Sequence, residues 1–310
     1  MPSSYQGSQT DWGIQRTLIP IKRLSPSSIS TLDGCQLRWV LQYIMKYREP
    51  PGKAATLGTI GHYVLQCVAR SKLLRQTGRK YIDDQVVGRL KTTYDIKNLV
   101  DKSYSHFTQL NPHINWEDAD HREAHRNIQK AQEHKLFPEN HQEIIQIEQR
   151  FEISAESPWG DFAYSQDGQI NQGNIELVGV IDLVFRDQDG LLNILDYKFG
   201  ASTKDWNSGI ERDYSTFIKD IQLCMYYWAI RKTYNEDIMV NLWYVKQKKL
   251  YSDIFGADQE STILNKIKSC LNEIRSMKIP APHYSFRCKY CPFSKTNFAD
   301  WGRPELDMNY

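Results

Sequence analysis

Two β-branched apolar runs, residues 177–185 and 191–199, dominate the hydrophobic pattern, and Asp187-Gln188-Asp189-Gly190 separates them. Asp-Gly at the end of such a turn predicts a hairpin. Flanks this apolar place both strands in the middle of a sheet. Alternation over residues 143–153 (Ile145, Ile147, Gln149, Phe151, Ile153) predicts another strand. Shorter strands are expected over 159–164, 237–245 and 250–255, with a polar loop over 165–174. Ser25 before Pro26 starts a short helix to Leu32. Asp33-Gly34 interrupts it, and a second helix runs from Cys35 to Met45. Helical spacing then predicts a helix opening at residue 57 and others over 81–107, 116–136, 215–234 and 258–277. Residues 1–17 are rich in Ser and Gln and read as a loose arm.

The apolar hairpin carries charges. Asp182 lies on its first strand, and Asp196 and Lys198 on its second, where a period of two puts them on one face. Charged groups on buried strands are costly unless paired or bound to a metal. Paired strands let Asp182 and Asp196 converge. Two carboxylates and an ammonium at one point suggest a site for a divalent cation and a phosphate. The alternative, charges facing solvent on an edge strand, fits poorly with flanks so apolar. Glu148, on the strand over 143–153, is a further carboxylate within possible reach.

Composition narrows the class. With 310 residues and six cysteines, the chain makes one large domain or two modest ones. A formal charge of +2 neither announces nor excludes nucleic-acid binding. No apolar run approaches a membrane span, and the polar start lacks a signal-peptide core. The expectation is a cytoplasmic protein whose cysteines are thiols or metal ligands rather than disulfides. His121 and His125 have the spacing of a zinc pair. Glu123 falls out of the zincin order, so a solvated helix face is expected, with Arg122, Arg126, Lys130 and Lys135 as a basic edge toward DNA. Lys204, Trp206 and Arg212 occupy a polar loop over 202–213 that suits contact with a nucleic-acid strand.

Gly179-Val180-Ile181-Asp182, a hairpin, then Asp196-Tyr197-Lys198 resembles the PD-(D/E)XK nuclease superfamily. The resemblance is strongest to the branch of RecB-type nuclease domains and Cas4 proteins. Leu24-Ser25-Pro26-Ser27-x-Ile29-x-x-Leu32 followed by Cys35, then Gly58-Thr59-x-x-His62, and finally Gln222-x-x-x-Tyr226 are similar to that branch in the same order. The resemblance implies an α/β fold: a restriction-endonuclease-like central mixed sheet flanked by helices, with a helical cap and a small C-terminal cysteine-bearing segment. The corresponding divisions are an arm (1–23), a helical region and cap (24–140), a nuclease core (141–280) and a Cys-x-x-Cys segment packing near Cys35 (281–310).

The resemblance also implies roles. Asp182 and Asp196 would hold Mg²⁺ or Mn²⁺, with His62 and the Tyr197 carbonyl completing the shell. Lys198 would orient water or stabilise phosphate charge, and Gln222 and Tyr226 would orient the lysine or meet the DNA backbone. Gln66 stands where many family members carry a glutamate. The implied activity is that of a single-stranded DNA exonuclease in repair, recombination or CRISPR adaptation, working with a helicase or CRISPR adaptation partner. No helicase P-loop is present in the chain. A non-catalytic DNA-binding scaffold subunit is the competing class, and an RNA-cleaving enzyme a weaker third. Cys35, Cys288 and Cys291 supply three of the four ligands of a Cas4-like [4Fe–4S] cluster. With no fourth cysteine after Cys291, a metal-free relic, a cluster with an outside ligand and a zinc site completed by His283 stay open.

Overall fold

Where the two apolar runs meet, the chain builds the middle of a six-stranded mixed sheet. The computed structural model describes residues 20–47, 50–132, 143–166, 169–199, 203, 211–283, 288, 291 and 293. In chain order the elements are β1 (Arg23–Leu24), α1 (Pro26–Gly34), α2 (Gln36–Trp39, continued by a π turn over Val40–Ile44), α3 (Lys53–Gln76), β2 (Tyr81–Asp84), β3 (Gly88–Lys91), α4 (Ile96–Gln109) and α5 (Asp118–Gln132). Then follow β4 (Glu143–Ser154), β5 (Asp161–Gln166), β6 (Gln169–Asn174), β7 (Glu176–Arg186), β8 (Leu192–Lys198), α6 (Tyr214–Phe217), α7 (Ile221–Thr233), β9 (Ile238–Tyr244), β10 (Lys249–Phe255) and α8 (Ala257–Ser276). The sheet order is β1-β7-β8-β9-β10, with β4 also paired to β7. Pairs β7–β8 and β9–β10 are antiparallel, and β1–β7 and β8–β9 are parallel. This is the expected mixed α/β architecture.

Local chemistry sets the hairpin register. Gly190 turns the chain at φ +82°, a backbone angle that suits glycine. The Asp187 carboxylate accepts the amides of Asp189 and Leu191, each at 3.0 Å. From there the ladder runs from Arg186↔Leu192 to Leu183↔Leu195. With a strand on either side, β8 is buried along its length except at Lys198.

The chain divides into two compact units. One comprises residues 51–151 and 179–264. Its core joins Ile60 and Val64 of α3, Val100 of α4, Ile128 of α5, and Phe185 and Leu195 of the sheet. The other comprises residues 1–50, 152–178 and 265–310. There the Trp39 indole donates to Ser28 Oγ at 2.9 Å, and Arg275 donates to the carbonyls of Trp159 and Asp161. Cys35 Sγ accepts the amides of Arg38 (3.5 Å) and His283 (3.4 Å). Cys288 Sγ donates to the His283 carbonyl at 3.6 Å, and the Cys291 amide donates to the Cys288 carbonyl at 3.1 Å.

Three expected elements differ. Residues 81–107 are not one helix: β2 and β3 form a hairpin, and α4 begins only at Ile96. Asp84 is the physical reason. Its Oδ1 accepts the amides of Val86 (2.9 Å) and Val87 (3.0 Å), a side-chain turn that competes with helix, and Gly88 continues the reversal at φ +81°. Residues 165–174 are not a loop, because β6 pairs along β5 from Asp161↔Asn174 to Gln166↔Gln169. Most of β6 is exposed, so backbone pairing holds it and no apolar alternation reveals it. The helix over 215–234 breaks at Asp220, whose side chain accepts the amides of Gln222 (2.9 Å) and Leu223 (3.2 Å) and restarts it as α7. The expected arm over 1–17 lies outside the described residues.

Candidate active site

Just past the Leu183↔Leu195 pair, Asp182 Oδ2 accepts the Tyr197 amide at 2.9 Å. The same oxygen lies 3.2 Å from His62 Nδ1. Gly61 brings this histidine to the sheet: a Cβ at Gly61 would stand 2.6 Å from the Phe199 ring, so only glycine lets α3 approach so closely. The His62 ring then packs edge-on against Phe199 at a centroid distance of 5.5 Å. Gly58 needs no such allowance, since its built Cβ meets nothing within 4 Å. It faces an open depression of about 450 Å³ lined also by Thr59, His62, Gln66 and Glu148.

Glu148 completes this half of the site. It sits in β4 at φ +49°, a left-handed angle that is uncommon outside glycine in a strand. Donor atoms of His62, Glu148 and Asp182 lie within 4.8 Å of one another. Burial and the charge of Asp182 push the Glu148 carboxyl up to about 7, against the pull of His62 and Arg70. Burial disfavours a charged His62, but the charge and hydrogen bond of Asp182, with Asp196 and Glu148 behind, prevail and raise it to about 9. Negative charge is therefore crowded here beyond what one imidazolium balances. Two carboxylates and an imidazole so placed fit a divalent cation.

The other half centres on Asp196, which is 1 % exposed. Lys198 Nζ lies 2.7 Å from Asp196 Oδ2 and donates to Gln222 Oε1 at 2.9 Å. Gln222 Nε2 in turn donates to Asp196 Oδ1 (2.9 Å) and to the Tyr226 hydroxyl oxygen (2.6 Å). These contacts close a ring of carboxylate, ammonium and amide. Burial opposes charge on Lys198, but Asp196 and then Asp182 and Asp220 outweigh it, holding the ammonium above its ordinary pKa. Burial raises the Asp196 carboxyl, with Lys198 pulling the other way. The Tyr226 phenol is pushed up by burial and by the charges of Asp196 and Asp182, and it stays protonated. Gly179 admits the Phe151 ring beside Tyr226: a Cβ there would stand 2.5 Å from Phe151.

The structure thus brings His62, Asp182, Asp196, Tyr197, Lys198, Gln222 and Tyr226 together within one compact unit. Glu148 is the member that the sequence marked only faintly. Alternation puts it on the polar face of its strand, and the structure carries it at a left-handed position with its carboxylate beside His62 and Asp182. Arg212 donates to the Tyr244 hydroxyl at 3.1 Å and sits 3.6 Å from Asp220, while Lys204 and Trp206 lie outside the described residues. His121 and His125 do not form a plain solvated face, since both approach Asp101.

A central mixed sheet between helices, with Asp and Asp-x-Lys on its middle hairpin, defines a restriction-endonuclease-like nuclease fold. The chain belongs to the PD-(D/E)XK nuclease superfamily, whose family model matches residues 23–296. No curated protein matches the chain. Among solved structures, a candidate exonuclease from Eubacterium rectale aligns at 12 % identity and a TM-score of 0.48, covering 87 % of this chain and 88 % of its own. A protein designated SSO0001 aligns at 14 % identity and a TM-score of 0.28, covering 73 % and 92 %. Members of this nuclease family act on DNA with divalent metals. Among the described residues, no helix is long and apolar enough to cross a membrane.

Proposed function

We propose that the protein is a metal-dependent DNA nuclease of the RecB/Cas4-like type, acting as an exonuclease on single-stranded DNA or a free end. Repair, recombination or CRISPR adaptation, with a helicase or adaptation partner, is the setting this reading implies. The observation that supports it most is the joining of the His62–Glu148–Asp182 donors to the Asp196–Lys198–Gln222–Tyr226 ring through the Asp182–Tyr197 hydrogen bond.

Asp182 and Asp196, with His62, Glu148 and the Tyr197 carbonyl, would hold Mg²⁺ or Mn²⁺. Bound there, the cation neutralises phosphate charge and makes water more acidic. Lys198 presents a point charge where the phosphate gains negative charge, and a lysine suffices for that. Gln222 fixes the lysine while gripping Asp196, so the ammonium is already oriented before substrate arrives. Tyr226, held neutral, adds a hydroxyl beside that amide without adding charge. Three charged groups on buried strands are costly to keep, so retention of the whole set favours an enzyme over a scaffold. The same reading leaves Cys35, Cys288 and Cys291 as a metal-free relic, an iron–sulfur site with an outside ligand, or a zinc site completed by His283. Visible absorbance and metal analysis of the purified protein test that part.

The direct test is cleavage of labelled single-stranded, double-stranded and flapped DNA with Mg²⁺, Mn²⁺ or EDTA, comparing wild type with Lys198→Ala. Metal-dependent cleavage lost in the variant supports the nuclease. Wild-type protein that binds DNA but never cuts it supports the scaffold subunit.

A further inference from the structure

A second group of metal-ligating side chains lies outside the nuclease constellation. His121 and His125 stand four apart on α5, so their rings share one face. The structure places Asp101, from the middle of α4, opposite them. His121 Nε2 is 2.9 Å and His125 Nε2 2.8 Å from the same oxygen, Asp101 Oδ1. All three donor atoms lie within 4.8 Å of one another. The two imidazoles meet edge to face, with centroids 4.7 Å apart at 85°. The Tyr104 ring backs His121 at 4.7 Å. Each side chain is part-exposed, at 41 % for Asp101, 37 % for His121 and 28 % for His125. An ion could therefore reach them while keeping water on its remaining positions.

The backbone under this group is firm. Leu99 and Val100 of α4 and Ala124, Ile128 and Ala131 of α5 are core residues, so the helix pair does not need an ion to hold its spacing. Burial pushes the Asp101 carboxyl up, but hydrogen bonds and charge from His125 and His121 win and lower it.

We propose that Asp101, His121 and His125 form a binding site for a divalent transition ion of the zinc type, separate from the nuclease centre and clamping α4 to α5. Two imidazoles and one carboxylate with open positions make a donor set that zinc accepts. Imidazole-rich sites rank zinc and its neighbours well above Mn²⁺, and carboxylate and water suit Mg²⁺ better. The nuclease centre, with carboxylates from three strands and one histidine, leans the other way. A bound ion would take the place between each Nε2 and Asp101 Oδ1, with any displaced proton passing to solvent or to Nδ1. The inference stands whether or not the nuclease reading holds, because it uses none of the same residues.

The test is titration of the full chain with Zn²⁺ by calorimetry and with Co²⁺ by visible absorbance, in excess Mg²⁺. The Asp182→Asn variant with Cys288→Ser and Cys291→Ser serves as the background, since it removes donors from the other three-ligand group and from the cysteine segment. One equivalent of Zn²⁺ is expected to bind there, with a Co²⁺ spectrum free of thiolate charge-transfer bands. Adding His125→Ala, or the near-isosteric Asp101→Asn, should weaken binding by at least about tenfold, a loss already typical of removing an outer-shell partner. Zn²⁺ should also raise the melting temperature of the background variant and not of the one lacking His125. Three results would overturn the site: no saturable equivalent in the background variant, undiminished binding after His121→Ala with His125→Ala, or a Co²⁺ spectrum dominated by thiolate ligation. Far-ultraviolet circular dichroism identifies any misfolded variant, and Asp101→Asn then decides, because it preserves side-chain volume.

Discussion

Replacing Glu148 by glutamine should stabilise the metal-free protein at alkaline pH while weakening metal binding. The native carboxyl titrates at about 7 instead of its ordinary 4.5, chiefly because of burial and the charge of Asp182. The folded state therefore binds more protons than the unfolded state between those two values. Stability falls as pH rises through that window, and the loss is complete above about 7. A shift of this size corresponds to a ceiling of about 3 kcal/mol at 1.36 kcal/mol per unit, reduced by whatever solvent reaches this half-buried group. Glutamine keeps the shape and has no charge to accommodate. The assay is urea denaturation in EDTA at pH 5 and pH 8. Glu148→Gln should gain up to about 3 kcal/mol over wild type at pH 8 and little at pH 5. With Mn²⁺ added the order should reverse, because wild type gains binding energy that the variant lacks. A variant less stable than wild type at pH 8 in EDTA, or a difference independent of pH, would refute the account of crowded charge.

Other substitutions test other parts of the structure. Lys198→Ala should lower the cleavage rate by about 10²–10³, the usual loss for one preorganised electrostatic group, with DNA binding retained in a gel-shift assay. Gly61→Ala forces a methyl against the Phe199 ring and should cost about 1–3 kcal/mol in chemical denaturation, whereas Gly58→Ala, with open space around it, should stabilise α3 by roughly 0.5–1 kcal/mol. Asp84 bonds Tyr63 and two backbone amides, so Asp84→Asn should cost about 1–3 kcal/mol at neutral pH. Burial raises the Asp84 carboxyl, but those bonds and Arg70 lower it overall. Its contribution is therefore present above the ordinary carboxylate range and fades as pH falls below it, so wild type and variant should converge in acid denaturation.

What the chain determined by itself is what depends on near neighbours. A turn with Asp187 and Gly190 sets the hairpin, and a period of two puts Asp196 and Lys198 on one face, which the structure keeps at 2.7 Å. Gln222 and Tyr226 share a helix face by their spacing of four, and they meet at 2.6 Å. Tertiary structure decided whatever needed a distant partner. Nothing local distinguishes Gly61 from Gly58; the Phe199 ring does. Alternation alone leaves Glu148 on a polar face, and only the fold brings its carboxylate within reach of His62, from a left-handed position in β4. The 81–107 stretch has helical spacing, yet Asp84 finds Tyr63 and Arg70 on α3 and anchors a hairpin instead. His121 and His125 looked like solvated surface because Asp101, which faces them, lies on another helix. Periodicity reports the burial of a face, while the meeting of charges across elements is set by packing that no single segment encodes.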